Sequence, residues 1–143
     1  MDILFLEGPN LNLLGLKSSK IKGSRLTLDK LNKHLRKHIR NTDHNLKIIQ
    51  THKQFQAVNY LQRNRNWSKG NIIIPTTWSI NDWTIAETIK IINTPTVAVF
   101  FSKPYDLGSK ISSSIIKSKN VTSIEGNPLD VCIEAINILI NKK

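Results

Sequence analysis

Ile3-Leu4-Phe5-Leu6-Glu7-Gly8-Pro9-Asn10-Leu11-Asn12-Leu13-Leu14-Gly15 is the stretch of this sequence that decides its fold. The apolar residues from Ile3 to Leu6 predict a short buried strand, and the Gly8-Pro9-Asn10 step predicts a turn directly after it. A second glycine, Gly15, closes the stretch. A buried strand that feeds a turn of this kind is typical of the first strand of a parallel α/β sheet.

Beyond Gly15 the chain alternates short β-branched runs with segments of helical period. Leu28, Leu31 and Leu35 recur at helical spacing, whereas residues 96–101 form the most continuously apolar run, as a central parallel strand should. The predicted strands are 3–6, 46–50, 71–74, 96–101 and 121–124, and the predicted helices are 27–39, 55–61, about 82–92 and 128 to about 141. This order predicts a single α/β domain over residues 1–143, with a doubly wound, five-stranded parallel sheet between two helical layers.

Ligands of doubly wound sheets bind beyond the carboxyl ends of the strands. We therefore expect the functional site to lie after Leu6, Gln50, Ile74 and Phe101. The segment of about residues 15–24 is rich in lysine and serine and is bounded by two glycines, which predicts a mobile loop over that edge.

The formal net charge of +11 suggests a nucleic-acid partner, because lysine and arginine neutralise phosphates. The basic residues are scattered, however, with Lys30 and Arg36 on one predicted helix and Lys117 and Lys119 in a loop. No aromatic residues alternate with them to form a platform on which bases stack. A nucleic-acid partner therefore stays open but is not favoured.

The single cysteine, Cys132, excludes an internal disulfide and fits a reducing compartment. The first residues carry no basic segment of the kind that opens a signal peptide, and no apolar run approaches the roughly 18 residues that span a bilayer. We expect a cytoplasmic protein without a membrane segment. His34 and His38 stand four residues apart on a predicted helix, but no third ligand is evident, so no metal site is predicted.

The opening stretch resembles that of the type II 3-dehydroquinate dehydratases, or type II dehydroquinases, and the resemblance covers essentially the whole chain. Gln50-Thr51, Pro75, Pro95 and Phe101-Ser102 fall in the family's order and spacing. The resemblance implies a flavodoxin-like fold and a trimer-based homo-oligomer that can reach a dodecamer. It implies a small-molecule substrate, 3-dehydroquinate, which the family dehydrates to 3-dehydroshikimate in the shikimate pathway without a metal or organic cofactor.

In the family, a tyrosinate on the mobile loop removes a C2 proton and a histidine after strand four protonates the departing hydroxyl. An arginine on the same loop helps to keep the tyrosine ionised. The resemblance places Lys22 at the tyrosine position, Lys17 at the arginine position and Phe100 at the histidine position. A lysine is cationic near neutral pH unless it is buried, and phenylalanine carries no proton, so the family's catalytic groups are largely missing.

The resemblance also places substitutions at the substrate-binding positions. Ile74 stands at the position of an asparagine and Ile80 at that of a substrate-binding histidine. Ala98 replaces a carboxylate two residues before the histidine position. Asn10 and Ser102 remain where the family has polar groups that line the site, although an asparagine after Gly-Pro can also persist because it holds a turn.

Three further residues lie near these positions in the pattern. Glu87 stands where the family has a polar site-lining group, and Lys110 is the cation nearest to a displaced arginine. His52 follows the second predicted strand, so it is the one histidine expected near the site edge that could replace a lost group.

The substitutions favour a degenerate member of the family whose activity is lost or strongly reduced. Trp78, together with Phe100 and Ile80, is expected to fill the former substrate cavity with apolar side chains. The second hypothesis is a working dehydratase with a rearranged site, and the third is a basic RNA- or ribosome-associated protein on the same fold.

Overall fold

The fold is given by a computed structural model, which describes residues 1–19 and 25–141. The described strands are β1 (Asp2–Glu7), β2 (Asn45–Gln50), β3 (Gly70–Ile74), β4 (Thr96–Phe101) and β5 (Val121–Gly126). The described α-helices are α1 (Leu14–Ser18), α2 (Leu28–Ile39), α3 (Gln54–Arg63), α4 (Trp78–Asn81), α5 (Trp83–Ile92) and α6 (Pro128–Asn141). Two short 3-10 helices are formed by Leu11–Leu13 and Ile111–Ser113.

The strands pair in parallel in the order β2-β1-β3-β4-β5. This is the doubly wound order of flavodoxin-like folds, so the predicted fold class is confirmed. Each predicted strand lies within an observed one, and the most continuously apolar run, residues 96–101, coincides with β4.

Apolar side chains cover both faces of the sheet. Because alternate residues of a strand point to opposite faces, Ile3 and Phe5 pack with α2 and α6, whereas Leu4 and Leu6 pack with α3 and α5. All six residues of β4 are buried, as expected for a parallel strand that helices cover on both sides. The core therefore consists of two apolar clusters, one on each side of the sheet.

Side-chain caps fix the start of two crossover helices. The Thr27 hydroxyl accepts a hydrogen bond from the Lys30 amide at 3.2 Å at the start of α2. The Asp82 carboxylate accepts one from the Ile85 amide at 3.1 Å at the start of α5. Each bond satisfies an amide that has no partner within its own helix.

Part of the predicted loop over residues 15–24 is instead the short helix α1. The reason is a contact that local sequence does not reveal. The Ser18 hydroxyl donates to the Leu26 carbonyl at 2.7 Å and accepts from the Leu26 amide at 2.8 Å, which ties α1 to the segment before α2. Residues 20–24, the remainder of the predicted loop, lie outside the described residues.

Cys132 is a free thiol buried in α6, within the apolar cluster on the α2 and α6 side of the sheet.

Within residues 1–19 and 25–141, no helix has the length and apolar character needed to cross a bilayer.

Candidate functional site

The loop after β1 lies at the carboxyl edge of the sheet and is held between the ends of β2 and β3. The Gly8 amide donates to the Ile74 carbonyl at 2.9 Å, and Gln50 Nε2 donates to the Gly8 carbonyl at 3.2 Å. A Cβ atom at position 8 would lie 2.7 Å from the Ile74 carbonyl oxygen and 2.8 Å from that of Pro75. Only glycine allows two backbones to approach this closely.

Asn10 and His52 meet at the same edge. Asn10 has a φ of 68°, in the left-handed region that asparagine tolerates better than most residues. Its backbone amide donates to His52 Nδ1 at 3.3 Å, and its side chain makes no capping bond to the following 3-10 helix. Backbone conformation alone therefore gives a reason for asparagine at this position.

The crevice at the ends of β3 and β4 is lined mostly by apolar residues and is nearly full. Ile74 and Phe100 are each 2% exposed. They line a cavity of about 10 Å³, whose other lining residues are Thr76, Val99, Phe101, Leu107 and Ser109. A cavity of this size holds at most one water molecule. Neither Ile74 nor Phe100 can donate a proton or bind a polar ligand through its side chain.

Trp78 is buried but does not line this cavity, and Ile80 is exposed. Trp78 is buried in the same apolar cluster as Phe100, with 6% of its surface exposed. Ile80 is 45% exposed, so the expectation that it fills the cavity is wrong. The reason is α4, which the sequence patterns predict only as a turn: helical residues two apart point to different sides.

Ser102 lies directly after β4 and lines a second cavity. Its amide donates to the Gly126 carbonyl at 2.9 Å, and its carbonyl accepts from the Tyr105 amide at 3.0 Å. The cavity measures about 210 Å³, and the charged side chains that line it are Lys103, Asp106, Lys110 and Glu125. Two positive and two negative groups give this cavity no net preference for an anion.

The other predicted site residues are dispersed or lie outside the described residues. Lys17 is exposed in α1. Glu87 lines a groove of about 480 Å³ between α3 and α5, together with Arg65 and Ile91, rather than the crevice. Lys22 lies outside the described residues.

His34 and His38 lie in a separate groove of about 590 Å³ between α2 and α6, which Lys37, Asp130 and Ile133 also line. His38 Nε2 lies 3.1 Å from Asn137 Oδ1, so this imidazole already has a polar neighbour. In the part of the chain that the structure describes, no three His, Cys, Asp or Glu side chains converge as metal ligands would.

A buried carboxyl group at the end of β1 was not predicted. Glu7 is 0% exposed and pairs in register with Ile74 of β3. Within the described residues, neither of its carboxyl oxygens makes a hydrogen bond, and neither does Asn32 Oδ1. Burial raises the pKa of Glu7 to about 8, against smaller opposing effects of the Asn32 side chain and the positive charge of Arg36. A glutamate inside the period of a buried strand is the sequence signal that could have identified it.

Glu7 points to the same face of the sheet as Ile3 and Phe5, the face that α2 and α6 cover. Burial raises the pKa of the Cys132 thiol well above its usual value, and the charge of Glu7 raises that pKa further, which places the carboxyl near α6. With a pKa of about 8, Glu7 is mostly protonated at neutral pH. Both of its oxygens are shielded from solvent, so a substrate does not reach this acid in the described conformation.

The raised pKa of Glu7 predicts a fold whose stability depends on pH. Between the ordinary pKa of 4.5 and about 8, native Glu7 holds a proton that the unfolded chain has released. The free energy of unfolding should therefore fall as the pH rises, by about 3 kcal/mol from about pH 6 to about pH 9. The glutamine side chain of the Glu7→Gln variant cannot ionise. Its free energy of unfolding, measured in urea at about pH 6 and about pH 9, should therefore lack this pH-dependent contribution.

The matched control is Glu134→Gln, which removes an exposed glutamate of α6 and should keep the pH dependence of the parent chain. An equal fall in stability for Glu7→Gln and the parent chain would contradict the assignment to Glu7.

Comparison with known proteins adds a family match to this geometry. The sequence matches the family model described as dehydroquinase class II over residues 1–140. A 3-dehydroquinate dehydratase from Clostridium botulinum (strain Hall) is 26% identical over 140 residues, which cover 98% of this chain and 95% of the relative. One from Dictyoglomus turgidum is 27% identical over 145 residues, which cover 99% of each chain.

Solved structures show the same fold. The type II dehydroquinase from Butyrivibrio crossotus superposes with a TM-score of 0.83 at 21% identity, over 99% of this chain and 98% of that one. A 3-dehydroquinate dehydratase-like protein from Bifidobacterium longum gives a TM-score of 0.61 at 14% identity, over 99% of both chains.

Proposed function

The chain belongs to the class II dehydroquinase family, and we propose that it is a degenerate member in which dehydration of 3-dehydroquinate to 3-dehydroshikimate is lost or strongly reduced. The observation that carries this proposal is Phe100, which is buried among apolar side chains at the position where the resemblance places the acid histidine. Without that imidazole, no group at this position can protonate the departing hydroxyl.

Loss of the acid and the base together should nearly abolish the reaction. A general acid or base each contributes roughly 10² to 10⁴ in rate. Phe100 removes the first, and Lys22, at the tyrosine position, supplies a cationic group in place of a base unless it is desolvated. The loss of both therefore predicts a rate lower by at least about 10⁴ than in an intact family member.

Substrate binding should be weakened as well. Small-molecule sites usually enclose roughly 300 Å³ or more, whereas the crevice beside Phe100 encloses about 10 Å³. The adjoining cavity of about 210 Å³ has balanced charges at its wall, which gives a carboxylated substrate no strong attraction. The former site is thus closed to the substrate and also lacks its catalytic acid and base.

A working dehydratase with a rearranged site is the second candidate. It is supported by Glu7, which holds a proton at neutral pH and lies in register beside Ile74 of the crevice. This candidate requires the crevice to open, because both Glu7 oxygens are shielded from solvent. The third hypothesis, an RNA- or ribosome-associated protein, gains no support at the carboxyl edge, where acidic and basic groups alternate.

The direct test of the proposal follows the conjugated product by its absorbance while the purified protein is incubated with 3-dehydroquinate. We expect no turnover from folded protein, under conditions in which an active family member converts the substrate. The Lys22→Ala variant is the matched control. Turnover by the parent chain that Lys22→Ala abolishes would contradict the proposal and would establish a site rebuilt around Lys22.

We also propose that the chain forms a homo-oligomer, as the family resemblance implies, through the outer face of α3 and α5. Phe55, Trp83 and Ile91 expose 58%, 69% and 72% of their surfaces there. The groove between the two helices carries Arg65 and Glu87, opposite charges that suit contact with a second copy. Large exposed apolar side chains near such a groove are typical of an interface.

The predicted effect of Ile91→Lys is a shift toward the monomer mass of 16.3 kDa in analytical ultracentrifugation, because the interface would have to desolvate a charged ammonium group in place of an apolar side chain. The control is Leu16→Lys, which alters an equally exposed side chain on α1 and should leave the assembly unchanged. A parent chain that sediments as a monomer would contradict self-association.

A further inference from the structure

A separate pocket lies at the opposite edge of the sheet, where α5 ends and the chain enters β4 and β5. It encloses about 430 Å³ and is lined by Lys90, Asn93, Lys117, Ser118, Lys119 and Asn120. Three of these six residues are lysines, and no acidic or aromatic residue is among them. The charge at the pocket wall is therefore positive without a counter-charge.

Hydrogen bonds to the backbone fix the loop that forms one wall. Asn120 Nδ2 donates to the carbonyls of Ile89 at 3.1 Å and Thr94 at 2.8 Å. The Asn120 carbonyl accepts from the Thr96 amide at 2.9 Å, which joins the loop to the start of β4. A wall held in this way is already in place before a ligand arrives, so little conformational entropy is lost on binding.

The end of α5 would ordinarily repel an anion, because the last carbonyls of a helix carry partial negative charge. Here the Ile89 carbonyl accepts hydrogen bonds from both the Asn93 amide, at 3.2 Å, and Asn120 Nδ2. The Asn93 bond is the ordinary last bond of the helix, so Asn120 Nδ2 supplies one donor beyond it at this end of α5.

The helix end explains only one of the three lysines. Lys90 lies in the last turn of α5, where a cation is favourable whether or not a ligand binds. Lys117 and Lys119 lie outside the helices and strands, so no helix end accounts for their charge. Their charge adds to that of Lys90 around one concave surface.

We propose that this pocket binds a small, multiply charged phosphate anion, either free or as the phosphate group of a metabolite. Lysine is a common phosphate ligand, and three clustered cations favour an anion with more than one charge. The Asn93 side-chain amide adds hydrogen-bond donors, whereas the Ser118 hydroxyl already donates to Asn120 Oδ1. The volume falls within the usual range for small-molecule sites, and the lack of an aromatic lining residue disfavours single-stranded RNA.

The test is a titration of the full chain with inorganic pyrophosphate near physiological salt, followed by the amide chemical shifts of the protein. We expect saturable shifts centred on residues 93 and 117–120. The Lys117→Gln/Lys119→Gln variant should bind roughly tenfold more weakly, as expected when two exposed charge contacts are lost.

The matched control is Lys30→Gln/Lys33→Gln, which removes the same charge from exposed positions on α2 and should bind like the parent chain. Equal weakening in both double variants would overturn the proposal, because it would show attraction to the overall charge. Absence of saturable shifts at millimolar pyrophosphate would also overturn it. So would binding of an RNA oligonucleotide at residues 117–120 without binding of pyrophosphate. Circular dichroism of each variant confirms that the fold is retained.

This inference does not depend on the proposed loss of dehydratase activity. The pocket lies at the amino-terminal edge of the sheet, and none of its lining residues lines the crevice beside Phe100. The pocket can therefore bind phosphate whether or not the dehydratase activity is lost.

Discussion

The direct backbone contact between the ends of β1 and β3 is the constraint on which the carboxyl edge depends. Gly8 lies so close to the Ile74 and Pro75 carbonyl oxygens that a Cβ atom at position 8 would clash with both. The Thr76 hydroxyl donates to the Pro9 carbonyl at 2.9 Å and reinforces the same contact. Two residues after Gly8, Asn10 adopts the left-handed conformation, and its amide donates to His52 Nδ1.

This contact would let the framework of the family persist under the proposed loss of its chemistry. Gly8 is required for backbone geometry and Asn10 suits the turn, so each residue has a reason to persist that is independent of catalysis. The resemblance places polar groups of the family at the positions where this chain has Ile74 and Phe100. Replacing them with Ile74 and Phe100 buries apolar surface, and a fully buried side chain of this kind stabilises a fold by roughly 1.5–3 kcal/mol. Active sites commonly sacrifice stability for function, so their loss can make a fold more stable.

The sequence predicts the sheet well because local patterns encode it. Residues 96–101 are continuously apolar and coincide with β4, and Asp82 is a residue type that favours the cap position it occupies. The helix α1 was not predicted, because its stability depends on the contact between Ser18 and Leu26. The proton held by Glu7 depends on α2 and α6, which come together around it only in the folded chain. Folding also brings Lys90 beside Lys117 and Lys119, a cluster that cannot be seen in a sequence whose charges appear scattered.

The central claim is that apolar side chains close the former substrate crevice. It is tested most directly by titrating the protein with 3-dehydroquinate while the amide chemical shifts of Gly8, Asn10, Thr76 and Ser102 are recorded. A closed crevice predicts no saturable change at these amides. Saturable shifts there, with one ligand bound per chain, would contradict the account, because they would show that the crevice still opens to the substrate.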